Sequence, residues 1–224
     1  MEYLVLAMLG GVFGLDVVCF PQMMFSRPIV AATVAGMFAG DSLMGIFTGV
    51  ALELIALATL PFGASRYPEW GSAAIVGGAI SASLGVDRAG GLTIGVIAGL
   101  ATAWIGGLTL VQLRKSNAVM ARRKRTALDA GSRGAVVGLQ LAGLTSDAIR
   151  GALLTVVAYA ALFPVSRATL GVWSFSETVS RAFVVTASTA IAIAAAWTIF
   201  HSARGARWYF AAGVIVGVLF LLGR

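Results

Sequence analysis

Apolar residues run in long blocks along this chain, separated by short stretches that carry charge, glycine or proline. The blocks lie at about 3–20, 29–40, 42–60, 71–86, 91–112, 149–165, 181–200 and 208–222. Most approach the roughly 20 residues that a helix needs to cross a bilayer. The pattern therefore predicts an all-α, polytopic membrane bundle. The blocks after residue 90 predict ordinary spans. Those before it are shorter: at 1.5 Å per residue, 29–40 reaches only about 18 Å and 71–86 about 24 Å of a hydrocarbon core roughly 30 Å thick. Between them, Pro61-Phe-Gly-Ala-Ser-Arg-Tyr-Pro-Glu-Trp70 holds two prolines, a glycine and two charges, and it predicts a break in helix. Irregular backbone at membrane depth survives only where protein or a water-filled cavity supports it. Short, interrupted segments are the usual sequence pointer to a transport site. The N-terminal third is thus expected to hold short or re-entrant broken helices.

Composition sharpens this picture. Hydrophobic residues make up 59% of the 224 and charged residues 11%, against about 25% charged in soluble domains. The mean hydropathy is +0.93. An apolar soluble core does not account for so many blocks of this length. Glycine is abundant, at 28 residues, and small residues let membrane helices approach closely. The spacings Gly10/Gly14, Gly36/Gly40, Gly45/Gly49, Gly91/Gly95/Gly99 and Gly213/Gly217 each offer a seat for a neighbouring helix. The opening segment has Glu2 and no basic n-region, so it reads as a first membrane segment rather than a cleaved signal.

Charge adds a topology. Arg114, Lys115, Arg122, Arg123, Lys124, Arg125 and Arg133 cluster in 113–133, with Asp129 as the single acid among them. In a membrane protein such a segment is a cytoplasmic basic loop by the positive-inside rule, rather than a nucleic-acid site. It is also placed to touch anionic membrane lipid or a cytoplasmic partner. A second basic turn, His201 to Arg207, lies two spans later and so falls on the same side, which leaves the C-terminus outside.

Candidate chemistry is concentrated in the first third, in Asp16, Arg27, Asp41, Glu53, Arg66 and Glu69. Ionisable residues inside membrane segments are costly, so they face a cavity or a partner. Glu53, flanked by leucines, is the sharpest: it either serves a site or pairs with an arginine to hold two helices together. Asp41, after Gly40, is expected to cap the next helix. Arg27 precedes Pro28, which suits a first helical turn; it either anchors at an interface or pairs with a carboxylate. Gln22 offers donors and acceptors beside Met23 and Met24, which are expected to pack. Tyr67 and Trp70 flank Glu69, either as a sugar-stacking platform or as part of an interfacial aromatic belt. Cys19, the lone cysteine, is expected to be a buried structural thiol. One histidine builds no multi-histidine metal site, no nucleophile-base set is present, and no Gly-x-x-x-x-Gly-Lys-Ser/Thr loop indicates an ATPase. No catalytic residue, metal or cofactor is expected in this chain.

The blocks Ser26-Arg-Pro-Ile-Val-Ala-Ala-Thr-Val-Ala-Gly36, Gly40-Asp41, Gly49-Val-Ala-Leu-Glu53-Leu-Ile-Ala-Leu57 and Gly63-Ala-Ser-Arg-Tyr-Pro-Glu69 resemble, in order and spacing over about 14–85, the IIC component of the mannose/fructose/sorbose family of the bacterial sugar phosphotransferase system. The resemblance implies a membrane sugar-translocating subunit, 1–224, in the bacterial inner membrane. It would work in oligomers of IIC–IID pairs. A cytoplasmic IIB component, charged by IIA, would phosphorylate the sugar. By matching motif positions, Glu53 and Glu69 become the leading sugar contacts, followed by Gln22 and Arg66. The chain departs from the pattern in two places: Pro21–Ser26 lacks an acid found in many relatives, and Glu69 stands where Asp is common. Outside the resemblance, two other readings stay open: a substrate-capturing membrane subunit of an ATPase-driven transporter, or a non-transporting membrane scaffold.

Overall fold

A computed structural model of the chain describes residues 3–16, 19, 21–59, 66–85 and 89–223. Residues 60–65, the centre of the interrupted stretch, lie outside the described residues, as do 17, 18, 20 and 86–88. The described residues form nine helices: α1 (Tyr3–Asp16), α2 (Pro28–Ala39), α3 (Ser42–Ala56), α4 (Trp70–Leu84), α5 (Gly91–Arg123), α6 (Arg125–Asp129), α7 (Arg133–Gly171), α8 (Glu177–Phe200) and α9 (Ala206–Leu222).

The sequence explains where the short helices start and stop. Pro28 opens α2 with its ring-fixed φ, and Arg27 before it is extended, at ψ 133°. Gly40 closes α2 in the left-handed region, at φ 95°. Asp41 then caps α3 as expected, accepting the Met44 N–H at 3.0 Å. The four helices α1–α4 have 14, 12, 15 and 15 residues, or about 18–23 Å each. None spans a 30 Å core unaided. Among the described residues, three helices, α5, α7 and α8, are long and apolar enough to cross a membrane.

Packing follows from side-chain size. α4 is built largely of Gly, Ala and Ser, and Gly71 through Ala82 are all buried, so it is the central helix, enclosed on every side. It packs against α2, α3 and α5, while α1 lies along α7. The glycine spacings account for several contacts. A methyl on Gly36 would meet Gly45 Cα at 2.7 Å, and one on Gly95 would meet Gly77 O at 2.8 Å. Gly213 and Gly217 instead have nothing within 4 Å, so within this chain the α9 pair seats no neighbour among the described residues.

The structure corrects three expectations. The basic segment 113–133 is mostly helix: α5 continues to Arg123 and α7 begins at Arg133, joined by the short α6. Charge density marks a solvated segment but does not forbid helix, and Arg, Lys, Ala and Met are good helix formers. Pro164 sits inside α7 without ending it. Cys19 is exposed rather than buried, although its thiol donates to Asp147 Oδ2 at 3.0 Å. Met23 and Met24 are exposed rather than packed, because they sit on a turn that faces away from the core.

Candidate functional site

The broken ends of α1–α4 meet at one end of the bundle. α1 ends at Asp16, a buried carboxylate. It accepts the backbone N–H groups of Met23 at 2.7 Å and Ser26 at 2.8 Å, and the Ser26 hydroxyl at 2.9 Å. These bonds fold 21–27 into an elbow. Gln22 and Met24 adopt left-handed backbone there, at φ 57° and 64°, a conformation that costs non-glycine residues roughly 1–3 kcal/mol each. Three charge-assisted hydrogen bonds offset that cost. Phe25 of the elbow rests against Phe13 of α1, with ring centroids 6.5 Å apart.

At the start of α2, Arg27 forms an ion pair with Glu53 from the last turn of α3. Glu53 also accepts the Ile29 N–H at 3.3 Å. A carboxylate is favoured at that position by the unpaired N–H groups and the positive end of the helix dipole. Glu53 and Arg27 are therefore a clasp between α2 and α3, the second of the two roles that the sequence left open for Glu53. Past α3, Thr59 Oγ1 accepts the Trp70 indole N–H at 3.1 Å, which ties the end of α3 to the start of α4. This bond anchors Trp70 by its edge.

Glu69 occupies the centre of this region. Its backbone N–H donates to Ala103 O at 3.0 Å. Both carboxylate oxygens accept the Ser72 N–H at 3.1 Å, so Glu69 caps α4. It is 0% exposed. A methyl on Gly106 would lie 2.6 Å from Glu69 Cβ and 3.3 Å from Oε2, so α5 needs glycine there to close over the side chain. Its neighbours point elsewhere. Arg66 is exposed and stacks over Trp104 of α5, 5.3 Å from the ring centroid. Tyr67 is buried, with the Arg114 guanidinium 4.8 Å from its ring centroid, so that ring face is already occupied.

Of the four predicted site residues, all lie at this end of α1–α4, in two groups. Gln22 and Glu53 sit around the start of α2; Arg66 and Glu69 sit at the start of α4. A methyl on Gly71 would meet Phe13 O at 2.8 Å, so the end of α1 brings the elbow against the start of α4.

Behind Glu69 lies a charged cluster that the sequence reading missed. Asp147 of α7 is fully buried, and Arg150, one turn on, donates from Nε to its Oδ1 at 2.8 Å. Arg150 also donates from Nη1 to Thr109 Oγ1 of α5 at 3.3 Å. The sequence did carry a signal: Asp147 and Arg150 stand three apart, a helical pair spacing, at the edge of an apolar block.

The profile of the family described as the PTS system sorbose-specific IIC component matches residues 1–169. The chain belongs to this family. The PTS system sorbose-specific EIIC component of Klebsiella pneumoniae is 36% identical over 88 residues, which are 39% of this chain and 32% of that protein. The PTS system mannose-specific EIIC component of Escherichia coli K12 is 27% identical over 136 residues, 61% of this chain and 50% of that protein. The chain thus spans between about a third and a half of these relatives. Two solved structures share the fold. One, described as a membrane protein, superposes with a TM-score of 0.70 at 22% identity, covering 99% of this chain and 88% of that one. The other is the cryoEM structure of the mannose transporter ManYZ in complex with microcin E492, at a TM-score of 0.61 and 21% identity, covering 96% and 85%. The chain is accordingly an all-α membrane protein of the IIC family.

Proposed function

We propose that this chain is the membrane sugar-translocating subunit of a phosphoenolpyruvate-dependent sugar phosphotransferase system, with Glu69 as its principal sugar contact. The observation that carries the reading is the wholly buried Glu69 carboxylate at a helix break, in a chain of the IIC family. A carboxylate accepts sugar hydroxyls strongly, and a dry, preorganised one does so best. Gln22 and Glu53 at the start of α2, and Arg66 beside Glu69 at the start of α4, lie at the same end of the short helices. Glu53 would contribute by holding α2 and α3 in register as much as by touching sugar. Residues 1–224 form a single IIC-type domain.

The subunit works beside a IID membrane subunit, in oligomers of such pairs, as a multi-pass protein of the bacterial inner membrane. Cytoplasmic IIA and IIB components supply the phosphoryl group, and this chain carries no phosphorylated residue of its own. The basic hairpin 113–133 and the His201 turn face the cytoplasm and its anionic lipid. Membranes holding the chain with its IID, IIA and IIB partners test the reading through phosphoenolpyruvate-dependent uptake of a sugar panel. One sugar should be taken up and phosphorylated, and Glu69→Gln should abolish that uptake with assembly intact. Uptake by Glu69→Gln at the unsubstituted rate overturns the site.

A further inference from the structure

We propose that Arg150 is a positioning residue that orients the Glu69 carboxylate, with Asp147 and Thr109 fixing the guanidinium in turn; the inference rests on Glu69 being the sugar contact. Arg150 is 9% exposed on its side chain, and two of its three nitrogens are committed, Nε to Asp147 and Nη1 to Thr109. The third, Nη2, is buried and has no hydrogen-bond partner. Buried donors are nearly always paired, so an open one marks a place where another group belongs. Ser72 Oγ is a second buried atom without a partner. Ser72 is also the residue whose N–H holds Glu69.

The two open atoms face one notch. A methyl on Gly14 would sit 3.5 Å from Arg150 Nη2 and 3.9 Å from Ser72 Oγ. Ser72 joins the notch to Glu69: its hydroxyl lies beside the guanidinium's open nitrogen and its N–H is bonded to the carboxylate. Asp147 itself is spent on Arg150 and on the Cys19 thiol. Arg150 forms its ion pair with Asp147, and the buried Glu69 carboxylate forms none among the described residues. Buried charge of this kind is tolerated only when it is paired and hydrogen-bonded. The Ser72 N–H holds the Glu69 carboxylate, and the open Arg150 nitrogen beside Ser72 Oγ adds a cation on that side of it. Guanidinium suits the task because its planar fork can be pinned at two nitrogens while the third stays aimed.

The test is sugar binding by the chain assembled with its IID partner, using whichever sugar the uptake panel identifies, with folding followed by size exclusion and thermal midpoint. Arg150→Gln should weaken binding roughly tenfold or more, the scale of one charge-assisted interaction. Arg150→Lys keeps the charge without the fork and should fall between. In Asp147→Asn/Arg150→Gln, an amide pair replaces the ion pair, so folding should recover while binding stays weak. Recovery of binding in that double variant would mean that the pair is merely structural, and would overturn the proposal. A cycle with Glu69→Gln, or Glu69→Asp where binding falls below measurement, completes the test. The Arg150→Gln penalty should shrink in that background, because the two act through one group. An equal penalty in both backgrounds also overturns the positioning role, while leaving Glu69 as the contact. Undiminished binding by Glu69→Gln alone overturns the site itself.

Discussion

Substituting Gly10 by alanine tests how tightly α1 is seated on α7. The two backbones touch along successive turns: a methyl on Gly10 would lie 2.6 Å from Gly151 O, and one on Gly14 would lie 3.2 Å from Gly151 Cα. An ordinary carbon–oxygen approach is about 3.3 Å, so the helices must part by about 0.7 Å at Gly10. The obstacles on α7 are the Gly151 carbonyl and Thr155, whose Cβ lies 2.6 Å from the Gly10 methyl and whose Oγ1 lies nearer still; the carbonyl and Cβ are fixed by the helix and cannot swing aside. A gap of 0.5–1 Å forfeits roughly a quarter to a half of each dispersion contact it opens. Overpacking of this kind costs about 1–3 kcal/mol. Thermal unfolding of the purified chain in mild detergent, followed by tryptophan fluorescence, reads the effect. Gly213→Ala is the matched control, since nothing lies within 4 Å of Gly213, and it should stay within about 0.5 kcal/mol of the unsubstituted chain. Equal midpoints for Gly10→Ala and Gly213→Ala would refute the close α1–α7 contact.

Other outcomes follow from the helix ends. Asp16→Asn should loosen the elbow at a cost of about 1–3 kcal/mol, because an amide cannot accept both Ser26 donors and Met23 equally well; labelling of a cysteine placed at position 24 should accelerate. Asp41→Ala should cost about 1 kcal/mol through the lost cap and leave sugar affinity unchanged, because the cap lies at the opposite end of α3 from Glu53; a change in affinity would contradict that separation. Glu53→Gln should lower stability by about 1 kcal/mol or less, since its Arg27 partner is 44% exposed, and Arg27→Gln should add little further loss in the Glu53→Gln background.

Much of the fold was readable because it depends on local chemistry. The Arg27-Pro28 step, the Gly40-Asp41 pair and the glycine spacings each act within a few residues, and they set the ends of α2 and α3 and the close approaches of α4. The shortness of the first helices followed from the same punctuation. What escaped depends on distance along the chain. Cys19 and Asp147 meet across 128 positions, and neither neighbourhood points to the other. Arg27 and Glu53 were each readable as charges in apolar surroundings, but only the α2–α3 turn shows that they satisfy one another. Glu69 was singled out beside its aromatic neighbours, whereas the structure turns those rings to Thr59 and Arg114 and leaves the carboxylate facing Ser72 and the α7 charges. The helical hairpin at 113–133 escaped for another reason: charge reports where a segment meets water, and helix propensity is a separate property of the same residues.

The unbroken course of α7 makes it a mechanical shaft. From Arg133 to Arg150 it runs about 26 Å at 1.5 Å per residue, with no break between the hairpin outside the apolar layer and the guanidinium inside it. Helices of this length bend gently rather than fold. Pivoted at Arg150, a 10° tilt would carry the far end sideways by about 4 Å on that length. Whatever grips the hairpin therefore has leverage over the buried cation, and a small rotation beside Glu69 is legible, magnified, at the tip.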